Sequence, residues 1–186
     1  MGIYVDKLKL SYVTILLTVG ISLPLSAQQQ NDAELLERLG NATPESYRVI
    51  ERELMLAWSK SGSASMDLLL ERAQDAIELN DYHVALQHLT ALTDHAPDFA
   101  EAFHLRATAY YELEMYGPAL ADLERTLELN PNHFGAMTGV GFILEELGHP
   151  DAALRALRKV KELHPNYVDI DEMLQYLEGQ VEGRTL

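Results

Sequence analysis

Apolar residues recur along this chain with two periods at once. Within short windows they keep helical spacing, as at Tyr47, Ile50, Leu54 and Trp58, or at Ile170, Met173, Leu174 and Leu177. Over longer distances the whole pattern returns every 34 residues. Leu79, Leu113 and Leu147 form one such series; Ala85, Ala119 and Ala153 form another, followed by Leu86, Leu120 and Leu154. Ala73, Ala107 and Gly141 hold one position small, and Pro97, Pro131 and Pro165 close each unit. A helix, a tight turn, a second helix and a proline stop therefore succeed one another in every period. Repetition of this kind marks units that stack, each covering the apolar face of the next.

The pattern divides the chain into three repeats, 66–99, 100–133 and 134–167. Helices are predicted at 66–79 and 83–96, at 101–113 and 117–129, and at 135–147 and 151–163. Pro118 and Pro150 sit where second helices begin, a place where a missing backbone N–H costs nothing. Residues 28–65 read as an N-terminal helical cap and joint. Within them Asn31–Gly40 is a short amphipathic helix, and Thr43-Pro44 opens a longer one whose inward side is Tyr47, Ile50, Leu54 and Trp58. Ser61 to Ser65 is either a flexible joint or a loop ending in an N-cap. Residues 168–186 supply a C-terminal capping helix and tail, with Ile170, Met173, Leu174 and Leu177 inward and Glu172, Gln175 and Glu178 toward solvent.

Residues 1–27 have the layout of a secretory signal peptide. Lys7 and Lys9 precede an uncharged run from Leu10 to Leu23, Pro24 breaks it, and Leu25-Ser26-Ala27 offers a cleavage site. The run is shorter than the roughly 20 residues of a spanning helix, which favours cleavage after Ala27 over an uncleaved membrane anchor. The expected location is therefore the bacterial periplasm or the secreted space, with inner-membrane anchoring as the alternative.

From Met66 to Tyr167 the residues resemble tetratricopeptide repeats. Counted from the start of each unit, position 4 is bulky (Leu69, Phe103, Met137), position 8 small (Ala73, Ala107, Gly141) and position 11 apolar or aromatic (Ala76, Tyr110, Leu144). Position 20 is alanine and position 32 proline in all three, and position 24 is Leu89, Leu123 and Leu157. Small residues at 8 and 20 let the two helices approach, while 4, 11 and 24 fill the space between them. Arg72 and Arg106 depart from the aliphatic residue usual at position 7, and Leu92, Thr126 and Val160 from the alanine usual at position 27. The resemblance implies an all-α fold: a right-handed α-solenoid of three helical hairpins with a concave groove lined by first helices.

It also implies that the groove binds a peptide or protein segment. Carried over position by position, the groove residues are Asp67, Leu70, Gln74, Ile77 and Glu78 in the first repeat; Glu101, His104, Thr108, Tyr111 and Glu112 in the second; and Thr138, Phe142, Glu145 and Glu146, with Gly135, in the third. The Lys, Asn and Arg set with which some members clamp a peptide C-terminus is absent from these positions, which argues against a chaperone-tail receptor. Glu78, Glu112 and Glu146 form a row near the ends of first helices, where a carboxylate opposes the helix dipole. The row is either a solvated acidic face or one wall of a groove for a basic or mixed apolar-basic segment anchored by Tyr111 and Phe142.

Composition narrows the function further. A formal charge of −15 and no cysteine argue against nucleic acid and exclude thiol chemistry, disulfides and cysteine-bound zinc. His83 and His88 lie poorly on one helical face, and His95 and His164 are placed to cap helix carbonyls near the closing prolines. Arg155, Arg158, Lys159 and Lys161 make the last full helix basic, either for charge balance or for an acidic partner. No phosphate loop, nucleophile elbow or metal-ligand cluster occurs. The sequence thus predicts a non-enzymatic interaction or scaffolding module, without cofactor, metal, catalytic residue or small-molecule substrate. Its alternative is a membrane-tethered envelope assembly factor. Self-association through a poorly capped end is left open.

Overall fold

The computed structural model describes residues 23–184, which form nine α-helices and, among the described residues, no strand. The first 22 residues of the expected signal segment lie outside them. The helices are α1 (Leu23–Gly40), α2 (Tyr47–Trp58), α3 (Ala64–Glu78), α4 (Tyr82–His95), α5 (Ala100–Glu112), α6 (Tyr116–Leu129), α7 (Phe134–Glu146), α8 (Pro150–Leu163) and α9 (Ile170–Arg184). No helix among the described residues is long and apolar enough to cross a membrane.

Helices α3 to α8 are the three expected hairpins, with boundaries close to those read from the periodicity. The small positions explain how each hairpin closes: Ala73, Ala85, Ala102, Ala107, Ala119 and Ala153 are essentially inaccessible. A Cβ on Gly141 would meet Leu157 Cδ2 at 2.8 Å, so a side chain there would have to displace Leu157 from between α7 and α8. The tight turn inside each hairpin places one residue at positive φ: Asn80 at 58°, Glu114 at 57° and Gly148 at 76°. These three are again 34 apart, so the repeat extends to backbone conformation.

The N-terminal pair departs from its expected form in two ways. Helix α1 starts at Leu23 instead of Asn31, and regular helix in α2 starts at Tyr47, after a turn in which Ser46 and Tyr47 donate to the Thr43 carbonyl at 3.0 and 3.1 Å. More consequential is where the pair packs. Leu35, Leu39, Ile50, Leu54 and Trp58 join one core with Phe134, Leu154, Leu157 and Val160 of the third repeat and Ile170, Leu174 and Leu177 of α9. Gly40 lies against the Leu163 carbonyl, and the Asn166 amide donates to the Ala42 carbonyl at 2.8 Å. The hairpin thus crosses the array to its far end before Ser61 to Ser63 lead back into α3. That joint is pinned: the Asp67 carboxylate accepts from the Ser61 N–H at 2.8 Å and from its hydroxyl at 2.7 Å.

At the C-terminal end α9 buries its predicted apolar side and leaves Glu172, Gln175 and Glu178 exposed. The basic face of α8 is largely matched within the molecule. Arg158 pairs with Glu178, Lys159 with Glu162 and Lys161 with Asp171.

Candidate functional site

The 34-residue period places α3, α5 and α7 side by side, and their common face is the groove. A cavity of about 320 Å³ lies in it where α2 faces α5 and α7. Seven of the residues predicted for the groove line this cavity: His104, Thr108, Tyr111, Glu112, Gly135, Thr138 and Phe142. The Thr108 hydroxyl donates to the His104 carbonyl at 3.1 Å and the Thr138 hydroxyl to the Phe134 carbonyl at 2.9 Å, so both are satisfied within their own helices. Glu51 and Met55 of α2 complete the wall, with Phe134 and Tyr167.

Charge around the cavity has one sign. Burial raises the pKa of the Tyr111 hydroxyl, and the negative charges of Glu146, Glu112 and Glu145 raise it further. Three carboxylates of the second and third repeats therefore act on a single aromatic residue of the groove. Glu146 and Glu112 are exposed and Glu145 half-buried, so the Coulomb field of each is screened at the surface.

The remaining predicted groove residues lie elsewhere. Leu70 is buried in the core of the first repeat, with Ile77 packed against it. Asp67 is committed to Ser61, and Glu78 is exposed. Gln74 faces Tyr47, Arg48 and Val168 across a second cavity of about 480 Å³. Glu101 is buried, and its surroundings were not legible in the sequence.

Glu101 lies beneath α2 in a cluster with His104 and His133. Its Oε2 is 2.9 Å from His133 Nε2 and 3.5 Å from His104 Nδ1. His133 Nδ1 accepts the Ala136 backbone N–H at 3.1 Å and so caps α7. That bond fixes the tautomer: Nε2 carries the proton and donates to Glu101. Burial alone would raise the Glu101 carboxyl, but the two imidazoles outweigh it and hold the group down to about 2. Three ligand-type atoms lie within 4.8 Å of one another here, yet the donor set does not fit a metal ion. A metal on Nε2 would force the proton onto Nδ1, directly against the Ala136 N–H. The cluster instead ties the start of α5 to the start of α7, with Trp58 stacked on the His133 ring at 4.7 Å.

His164 also differs from its predicted role. It caps no carbonyl, because it is fully buried with neither ring nitrogen hydrogen-bonded, packed between Tyr47, Phe134 and Tyr167. Glu51 is its polar neighbour at 3.4 Å. Glu51 and Met55 escaped sequence reasoning, and Trp58 was expected to face inward but without its His133 partner, because helical spacing shows which side of α2 is buried and is silent on what it meets.

The tetratricopeptide repeat family model matches residues 70–117 and 104–168. The chain belongs to the tetratricopeptide repeat family. A TPR repeat-containing protein of Rhizobium etli is 30% identical over 158 residues, which are 85% of this chain and 78% of that protein. The SGT1 homolog of Homo sapiens is 34% identical over 86 residues, 46% of this chain but only 24% of its own length. Among solved structures, the Sgt2 TPR domain from Aspergillus fumigatus superposes with a TM-score of 0.62 at 20% identity, over 66% of this chain and 83% of that one. The first TPR of Spaghetti (RPAP3), solved with an HSP90 peptide, gives 0.61 at 22% identity, over 63% and 93%. The type III secretion chaperone SycD of Yersinia enterocolitica, solved with a peptide of the translocator YopD, gives 0.59 at 15%, over 63% and 95%.

Proposed function

We propose that this tetratricopeptide protein is a non-enzymatic binding module of the bacterial cell envelope that holds a protein segment in the groove between α2, α5 and α7. The observation that carries the reading is the cavity between Met55, Tyr111 and Phe142, set among the carboxylates of Glu51, Glu112, Glu145 and Glu146. An apolar side chain fills the cavity, and a neighbouring lysine or arginine meets the acidic rim. Solved relatives of the same fold carry bound peptides, among them SRMEEVD on RPAP3. That peptide is rich in acid, whereas the rim here repels acid, so the partner proposed for this chain has the opposite sign. The signal-like N-terminus supports a periplasmic or secreted location, with cleavage after Ala27.

Short synthetic peptides test this reading directly. A leucine or phenylalanine anchor flanked by lysine and arginine should bind the full chain, and the same anchor flanked by aspartate should not. Tyr111→Ala/Phe142→Ala should lose the first peptide. Equal binding of both peptides, or undiminished binding by the variant, would overturn the reading.

A further inference from the structure

The α1–α2 hairpin is fastened to the solenoid by one histidine at each end of α2. At its C-terminal end Trp58 stacks on His133, with 4.7 Å between ring centroids and 24° between planes. At its N-terminal end Tyr47 meets His164 edge-on at 5.5 Å. Both imidazoles are buried, at 3% and 0% exposure. Both sit in the connections that follow second helices, His133 directly before α7 and His164 between α8 and α9. Besides the apolar core beneath Ile50 and Leu54, α2 is therefore held by an aromatic contact at each end, and both contacts are titratable.

We propose that α2 is a proton-released strap: protonation of His133 and His164 frees the α1–α2 hairpin from the third repeat and opens the groove that it walls.

The geometry at each ring opposes an added proton. His133 already carries its proton on Nε2, toward Glu101, so a second proton must go to Nδ1. There it abolishes the cap bond from Ala136 and sets two donors face to face at 3.1 Å. The groups facing His133 are Glu101 and His104 on α5, its ring centroid 4.4 Å from that of His104, and Asp32 on α1 beside Trp58. At His164 the added charge enters a box of three aromatic rings. Glu51 on α2, with the phenols of Tyr47 and Tyr167, completes the titratable surroundings. An imidazolium buried without a full set of acceptors is expensive, and both rings regain water when the hairpin lifts.

The direction of the titration follows. Burial depresses both imidazoles, for His133 together with the neighbouring His104, and Glu101 and Glu51 offset only part of it. The seated hairpin thus excludes protons that the released rings take up from about pH 6.5 downward. Seating is unaffected above that pH and weakens as pH falls toward the depressed values. With two rings coupled, the seated-to-released ratio drops by up to about a hundredfold per pH unit. Glu51 and Met55 leave the groove wall with the strap, and this consequence alone rests on the groove reading.

Trp58 is the only tryptophan, so its emission reports its seat on His133. The full chain, without any ligand, is titrated from about pH 7.5 to about pH 5, above the ordinary carboxylate range, with helicity followed by circular dichroism. The expected result is a shift of Trp58 emission to longer wavelength below about pH 6.5 while helicity persists. His133→Asn/His164→Phe, which keeps a cap and fills the aromatic box, should hold the emission unshifted over the same range. Emission that moves only when helicity is lost, or a variant that shifts at the same pH, would overturn the proposal. Where the variant loses helicity at neutral pH, amide exchange in the unaltered protein decides. Residues 47–58 should lose protection in acid while 85–93 keep theirs, and equal loss in both overturns it. Because no ligand takes part, a strap that stays seated leaves the groove reading standing, and a groove that binds no peptide leaves the strap standing.

Discussion

Arg106 occupies a position where the family usually carries an aliphatic side chain, and the structure supplies the reason. Its guanidinium reaches Asp122 through Nε and Nη2, both at 2.7 Å, and Thr93 through Nη1 at 2.6 Å, so one side chain joins α4, α5 and α6. Asp122 and Thr93 are buried. Asp122→Ala strands the cation and should lower stability by about 3 kcal/mol, whereas Arg106→Met with Asp122→Leu should cost far less. Urea unfolding of the two variants checks this, and equal losses would contradict it. Glu114 is the converse case, a non-glycine residue at φ 57° where the third repeat has Gly148. Glu114→Gly should raise the thermal midpoint, by an amount equivalent to about 1 kcal/mol. At this scale the sequence was legible wherever one residue type recurs for one steric reason, as at Ala85, Ala119 and Ala153. It was opaque where partners come from distant elements, as with Glu101 and His133, 32 residues apart.

At the scale of elements, six helices and their phases were readable because each hairpin solves the same packing problem. The apolar side of α2 was readable too, but its destination was not. Ile50, Leu54 and Trp58 fit the third repeat because Phe134, Leu157 and Val160 leave an apolar face there, and no periodicity encodes that match. The groove was half legible: the first helices of the second and third repeats deliver Tyr111 and Phe142 to the cavity, while α2 contributes an unforeseen wall. The acidic rim leads to a prediction at this level. Glu112→Gln/Glu146→Gln should weaken binding of an apolar-basic peptide at low salt and flatten its salt dependence, as titrations at two ionic strengths would reveal. An unchanged salt slope would assign those carboxylates to solvation alone.

For the molecule as a whole, the route of the N-terminal hairpin redistributes stability. A linear array is held by nearest-neighbour contacts and frays from its ends. Here α1 and α2 reinforce the third repeat together with α9, whereas α3 leaves Leu68 at its start 46% exposed. Native-state hydrogen exchange should therefore find α3 the least protected repeat helix and α7 and α8 the most protected. Uniform protection along the array would contradict this distribution. Site-specific photocrosslinking shows whether the groove is where a partner segment is held. A photoreactive phenylalanine analogue at Phe142, compared with one at the exposed Glu124 of α6, would be irradiated in an extract of the native cells. Adducts from position 142 alone, mapping to partner segments with an apolar residue beside lysine or arginine, are the predicted result. Adducts from position 124 alone, or partner segments of acidic character at position 142, would contradict it.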